Sequence, residues 1–351
     1  MADLPFDFDL LAELTETSGV PGYEDRVREI VRTELADSAD EVRTDAMGNV
    51  VGTVEGDSEY AVAVAAHVDE IGFMVRHVRD DGFLELDPLG GWDPRVMRAQ
   101  RVTVHAEDGD LPGVIGSPPP HTQDEEDREE PPEIDDLHVD VGLPPGDVAE
   151  QVRVGDPVTM SQSTTQVGEN VTGKALDDRI CVFAMLEAAG RLSDPEVTVH
   201  FVATVQEEVG LRGAEAVGFD LDPDLGIALD VTVANDIPEF DEEEYVTELG
   251  DGAAIKLKDG SVVTTPGVHR RMRDVAENEG IPFQLEVLPS GGTDTARFQR
   301  TAGARPVGAL SIPTRYLHTV TESAHTDDIA TAIDLLVAFL DSETGEHDYS
   351  L

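Results

Sequence analysis

Two adjacent carboxylates, Glu207 and Glu208, follow an apolar, β-branched run at 197–205 (VTVHFVATV). Such a run reads as a buried parallel strand. Gly210 and Gly213 come next and permit a tight turn. In open α/β sheets, ligands gather beyond the carboxyl ends of strands. Two acids placed there repel one another unless a cation lies beside them, and a metal ion is the natural candidate. A second apolar run, 60–66 (YAVAVAA), ends in His67, Val68, Asp69 and Glu70. In an extended segment His67 and Asp69 project to the same side. That spacing lets a carboxylate buttress a metal-bound imidazole. Asp177 precedes a helical stretch, Asp230 closes a third apolar run at 225–229 (LGIAL), and His318 lies in a late loop. Each has an ordinary structural reading by itself: solvated strand-end glutamates, a helix N-cap at Asp177, a loop histidine at 318. Together, two histidines and three or four carboxylates at strand ends or adjacent loops can hold two divalent ions, one histidine each, with a carboxylate bridging.

The elements that must position these residues alternate along the chain. Helical spacing at 6–14 and 23–35 is interrupted by Ser18, Gly19, Val20, Pro21 and Gly22. Residues 42–44 and 50–54 read as a hairpin around Met47, Gly48 and Asn49. Strand 60–66, helix 180–191, strand 197–205, the run at 225–229 and a final helix at 329–340 follow. This alternation predicts an α/β fold, with a mixed or parallel sheet and helices on both faces. From about Gly72 to Gly168 the texture changes to short strands and frequent turns, at Gly90-Gly91, Gly109, Pro112-Gly113, Gly116 and Gly155. That stretch reads as a small all-β module inserted in the α/β domain. The expected division is therefore 1–71 and 169–351 for the α/β domain, and 72–168 for the insertion. Within the insertion, the acidic, proline-containing run 121–136 reads as a mobile loop.

Composition narrows the function classes. A chain of 351 residues suggests about two domains. Its formal charge of −50, with pI near 4.2, opposes binding to nucleic acid or anionic membrane, both of them polyanions. Only Lys174, Lys256 and Lys258 are lysines. Self-repulsion of this size is screened in concentrated salt, where the Debye length is about 3 Å, so the expected setting is a halophile's cytosol. The single cysteine, Cys181, lies in an apolar helical pattern and forms no internal disulfide, which suits a reducing cytoplasm. No signal peptide is expected ahead of Asp3, and no apolar run is long enough to span a bilayer.

These residues sit in stretches that resemble the tetrahedral (TET-type) dinuclear-metal aminopeptidases, relatives of the glutamyl and deblocking aminopeptidases. The stretches are AHVDEIGFMV (66–75), GGWDPR (90–95), PGVIGSPPPH (112–121), ALDDR (175–179), TVQEEVGLRGA (204–214), ALDVTVAND (228–236), SGGTDT (290–295) and PTRYLH (313–318). They run in family order through nearly the whole chain. The resemblance implies a zinc-peptidase-like fold. It implies His67 and Asp230 as terminal ligands of one metal, and Glu208 and His318 as ligands of the other, with Asp177 bridging. Asp69 would orient His67, and Glu207 would be the general base. Gly291 and Gly292, in SGGTDT, are read as substrate-binding. The inserted module would be a dimerisation domain, with dimers assembling into a hollow tetrahedral dodecamer. Residues 295–298 and 319–322 depart from the commonest family versions and leave substrate preference open.

The chemistry expected of such a site is peptide hydrolysis. Two cations about 3.5–4 Å apart acidify a shared water and polarise the scissile carbonyl. Glu207, held just outside the coordination shell, can take the water's proton and pass it to the leaving amine. A substrate's free α-amine on one metal restricts cleavage to the N-terminal residue. Zinc or cobalt suits mixed imidazole and carboxylate ligands better than magnesium. Three other readings are weighed against this one. A carboxypeptidase or N-acyl-amino-acid deacylase needs a cationic clamp for a substrate carboxylate. A glycosidase built on paired acids has no need of His67 and His318. The last is a metal-stabilised scaffold without activity. The expectation is a metal-dependent aminopeptidase with two divalent ions per subunit, peptide substrates and a homo-oligomeric assembly.

Overall fold

The computed structural model describes residues 4–122 and 131–349. Among these residues, an eleven-stranded mixed sheet forms the main body. At its centre the strand Ala61–His67 lies parallel to Thr198–Thr204 on one side and to Leu225–Val233 on the other. Val307–Arg315 continues the parallel set beyond Leu225–Val233. The hairpin Glu41–Thr44 and Val50–Val54 adds antiparallel strands at one edge. These central strands are near-continuous apolar runs because both sheet faces are covered, so no solvent face asks for alternation.

On one face pack the helices Phe8–Glu16, Asp25–Ala36, Leu176–Arg191, Pro266–Glu279 and Thr326–Asp341. Leu176–Arg191 is buried along most of its length, between the sheet and its neighbouring helices. Its sequence, apolar nearly all round, suits that central place. On the other face, Arg212–Leu221 and Thr295–Phe298 cover Val51, Ala63, Ala65 and Val202. The expected mixed sheet with helices on both faces is what forms.

Element ends differ from the periodicity in ways that have local causes. The first helix begins at Phe8, because the Asp7 carboxylate caps it by accepting from the N–H groups of Asp9 and Leu10 at 3.0 and 3.1 Å. Phe6, expected inside that helix, instead packs edge-on against Phe183. The last helix starts at Thr326 rather than 329, with the His325 ring accepting from the Asp327 N–H. The run expected to close at Leu229 continues as strand to Val233, because Val307–Arg315 stays paired with it as far as Thr314. Asp230 therefore lies inside a strand and not at its end.

A second body interrupts the first. Six strands, running from Gly72–Val78 to Pro157–Met160, close into a small antiparallel barrel. The barrel has its own apolar core, including Phe73, Val75, Leu84, Leu86, Val104 and Val139. Of the acidic run at 121–136, residues 123–130 lie outside the described residues. Short 3-10 turns, Pro120–Thr122 and Ile134–Asp136, stand on either side.

One buried side chain ties the edge hairpin to the strand that carries the paired glutamates. Asn49 accepts from the Val205 N–H through Oδ1 at 3.1 Å, and donates through Nδ2 to the Gly213 carbonyl at 3.1 Å. Gly213 approaches so closely that a Cβ there would lie 2.3 Å from the Val205 oxygen. Replacing Asn49 by Ala leaves the buried Val205 N–H without its partner and removes one bond to the Gly213 carbonyl. The expected loss is ~1–3 kcal/mol of folding stability, measured by denaturant unfolding. An unchanged midpoint would show that the turn holds without this bridge.

Candidate metal centre

The parallel register sets up the site. Thr204 pairs level with His67. Pairing between Ala61–His67 and Leu225–Val233 ends at Ala65 and Ala228, and two residues further along lie His67 and Asp230. The two strands thus separate just where the chemistry-bearing side chains begin, opening a crevice at the carboxyl end of the sheet. Glu207 and Glu208 sit in the turn that follows Thr198–Thr204. Asp177 and Asp178 leave helical φ/ψ before the long buried helix proper begins. The Asp177 carboxylate is turned into the crevice, with one oxygen toward His67 and the other toward His318. His318 follows Val307–Arg315 in a left-handed conformation, φ 58°.

The structure brings all the expected ligand residues together. His67 Nε2 lies 3.2 Å from Asp177 Oδ1 and 3.9 Å from Glu207 Oε2. His318 Nε2 lies 3.4 Å from Asp177 Oδ2 and 3.8 Å from Glu208 Oε1. Three overlapping groups each place their donor atoms within 4.8 Å of one another: His67, Asp177 and Asp230; His67, Glu207 and Glu208; Asp177, Glu208 and His318. Two imidazoles and four carboxylates in one half-buried cluster form a donor set suited to divalent cations.

Around the cluster, the supporting bonds are mostly made to backbone. His67 Nδ1 bonds the Asp69 carbonyl at 3.0 Å, which fixes the ring with Nε2 toward Asp177. The Asp69 carboxylate accepts from the N–H groups of Glu207 and Glu208, both at 3.0 Å. Glu322 likewise accepts from the N–H groups of Asp177 and His318. Asp178 accepts from the His67 N–H at 3.1 Å. The barrel contributes too: beyond its strand Leu84–Leu89, the Gly91 carbonyl bonds His318 Nδ1 at 2.8 Å. Behind the cluster Glu70 is paired with Lys174 at 2.6 Å, and Arg179 donates to the carbonyls of Leu14, Thr17 and Val68. That buried arginine locks the connection after the first helix beneath the site.

Comparison with known proteins bears on the same residues. A profile of the M42 glutamyl aminopeptidases matches residues 48–335. The chain belongs to the M42 glutamyl aminopeptidase family. It is 38% identical to the lysyl aminopeptidase of Pyrococcus furiosus, over 95% of this chain and 97% of that protein. An aminopeptidase structure from the archaeon Desulfurococcus kamchatkensis superposes with a TM-score of 0.93 at 37% identity, covering 96% of this chain and 95% of that one. The Pyrococcus horikoshii TET1 peptidase, which assembles into a tetrahedron or a large octahedral shell, superposes with a TM-score of 0.86 at 32% identity, covering 95% and 99%. This M42 chain is a metal-dependent aminopeptidase. The carboxypeptidase, deacylase, glycosidase and inert-scaffold readings give way to that membership.

The electrostatics of the M42 site reflect a shortage of positive charge. Burial, followed by the charge of Asp177, pushes Glu208 up to about 7. Burial likewise raises Glu207 and Asp230 well above the ordinary carboxylate range, with neighbouring acids adding to the shift. Burial opposes the charge on both histidines. Contact with Asp177 overcomes it, raising His67 and taking His318 up to about 10. Asp177 alone among these acids moves the other way: burial opposes its charge, but the two facing imidazoles hold it below the usual range. Carboxylates held this close relieve their mutual repulsion by taking up protons or cations.

The two expected substrate-binding glycines are placed differently from the expected ligands. Gly291 and Gly292 are exposed and lie against Gly260 and Ser261. The residue of their stretch that faces the cluster is Asp294, which is buried and accepts from the Thr204 hydroxyl at 2.6 Å. Asp178, Asp294 and Glu322 were not singled out in the sequence as site residues. Asp178 and Asp294 stood inside the ALDDR and SGGTDT stretches, and Glu322 just past His318. Their bonds to neighbouring groups arise only when distant segments meet.

The Asp69 carboxylate uses both oxygens on the glutamate turn, so its isosteric amide is the sharp test. Asp69→Asn leaves one buried N–H of Glu207 or Glu208 without an acceptor. We expect the metal-free protein to lose ~1–3 kcal/mol in chemical denaturation. Unaltered stability would mean that the carboxylate does not hold the turn.

Proposed function

We propose that the cluster is a dinuclear centre at which this chain removes the N-terminal residue from peptides. In this reading His67 and Asp230 hold one divalent ion, Glu208 and His318 hold the other, and Asp177 is shared. The observation that carries it is the position of Asp177, with one oxygen 3.2 Å from His67 Nε2 and the other 3.4 Å from His318 Nε2. A carboxylate between two imidazoles, with a further carboxylate beside each, favours zinc or cobalt over magnesium. When bound, such ions supply Lewis acidity to the scissile carbonyl and to water. Glu207 acts as general base. It is buried, its carboxylate stands 3.9 Å from His67 Nε2, and its backbone is fixed by Asp69. It takes a proton from the attacking water and delivers it to the departing amine. Asp69 keeps His67 in the tautomer that turns Nε2 toward the cluster.

The surrounding charge suits a free amine. A substrate ammonium meets carboxylates, whereas a substrate carboxylate needs a cation. The nearby lysines are buried and already face acids, Lys174 with Glu70 and Lys256 with Glu286. The peptide therefore enters amine first, past the exposed loop of Gly291 and Gly292.

The same reading extends to assembly and setting. Residues 72–168, with their separate barrel, serve as the dimerisation module. Dimers build a tetrahedral dodecamer; the Pyrococcus horikoshii relative can assemble into a tetrahedron. The chain works in the cytoplasm of a halophile, in concentrated salt. Its charge of −50 and its single buried cysteine support that setting. Among the described residues no helix is long and apolar enough to cross a membrane. Nucleic acid and anionic membrane are not partners of so acidic a surface.

Glu207→Gln should retain both ions by elemental analysis and lose roughly three or more orders of magnitude in kcat on aminoacyl-p-nitroanilides, near the upper range for loss of a general base. Loss of an ion in that variant would make Glu207 a ligand and exchange its role with Glu208.

Assembly should respond to salt before the centre does. Lowering salt from molar to about a tenth molar extends screening from about 3 to about 10 Å, and like charges across the subunit contacts then repel. We expect light scattering to report dissociation while metal content stays constant. An intact assembly that has lost its metal would contradict this.

A further inference from the structure

Asp177 and His318 come from distant parts of the chain, yet their side chains face one another at 3.4 Å. A buried side chain bridges their backbones through the N–H groups of both residues. Glu322 opens the strand Glu322–His325, which lies antiparallel to Asn170–Gly173, with Gly173 as its register partner. This pairing carries Glu322 over the segment leading to Asp177. Its Oε2 accepts from the Asp177 N–H at 3.1 Å, and its Oε1 accepts from the His318 N–H at 2.8 Å. Glu322 is 2% exposed. The turn it closes is an unfavourable one for its residues: Tyr316 and His318 both sit at left-handed φ, 62° and 58°. Residues hold such conformations only where their surroundings impose them. At His318 the imposing contacts are Glu322 on the backbone and the Gly91 carbonyl on the ring.

We propose that Glu322 is a positioning residue for the metal centre: by bonding both backbone N–H groups it sets the Asp177–His318 separation, and so completes the site of Asp177, Glu208 and His318. This rests on the two-ion reading given above. Glu322 mirrors Asp69 across the cluster. Each is a buried carboxylate that uses both oxygens on the backbone of two cluster residues, and each leaves those residues' side chains free for the cluster.

A carboxylate is needed because it offers two acceptors on one rigid plane. Glu322→Gln keeps the shape and one acceptor, and turns an NH2 group toward the other N–H. Glu322→Asp keeps both acceptors and the charge, but is one methylene too short to reach both partners. Calorimetric titration of zinc into metal-free protein, in molar salt, reads the consequence directly. In Glu322→Gln one of the two zinc sites should weaken by about 10–100-fold, the range for loss of a ligand-orienting partner. The other site, which shares Asp177 but not His318, should weaken several-fold less. At saturating zinc, kcat should fall by a similar factor with KM for an aminoacyl-p-nitroanilide little changed. Glu322→Asp should fail in the same way, whereas recovery in Glu322→Asp would show that charge alone matters and overturn the proposal. Equal weakening of both sites together with a lowered Tm of the metal-free protein would also overturn it, leaving Glu322 a merely structural residue. So would two sites and a kcat unchanged from wild type. Wild-type protein taking up fewer than two zinc ions per chain would instead refute the two-ion reading itself.

Discussion

The arrangement of this protein follows from one electrostatic constraint. Several carboxylates lie buried within a few ångströms of one another, with two imidazoles among them. Asp177, Glu207, Glu208 and Asp230 would be costly to keep charged in such a place without cations. Level pairing of Thr204 with His67, and the separation of the neighbouring strands beyond Ala65 and Ala228, bring His67, Asp230 and the turn that carries the two glutamates to one crevice.

Rigidity at the crevice is provided through the backbone. Asp69 holds the glutamate turn, Glu322 joins the Asp177 segment to the His318 loop, and Asp178 receives the His67 N–H. Each of these acids is itself buried. They hold loops that no strand or helix ladder reaches, and they satisfy N–H groups that would otherwise be orphaned in the interior. Arg179 does the converse at the floor, giving its donors to carbonyls of the connection after the first helix. The barrel is joined to this system as well, since the Gly91 carbonyl sets the ring of His318. Movement of the barrel relative to the sheet would therefore be felt at the centre.

Much of the fold was legible in the residues. The apolar runs at 60–66 and 197–205 read as buried strands, and the helices between them made a covered sheet the natural solution. The change of texture after Gly72 marked a second body. What periodicity missed were ends. The first helix starts where Asp7 caps it, and the strand through Asp230 continues because a neighbour stays paired with it. Both outcomes depend on a single partner outside the window in which a pattern is read.

The sequence by itself determined which residue types could ligate. Histidine and carboxylate beyond apolar runs, in stretches resembling a known family, single out His67, Asp177, Glu208, Asp230 and His318 as candidates. Side-chain chemistry and strand periodicity are local properties, and they survive in one dimension. Only the tertiary structure decided the distances between those residues, which acids meet in the cluster and which instead bond backbone N–H groups, and that Asp294 is buried against Thr204 while Gly291 and Gly292 stay exposed. Those depend on the register of parallel strands and on hydrogen bonds between segments far apart in the chain. No local pattern encodes them, because the partner that fixes each is chosen by the packing of the whole sheet.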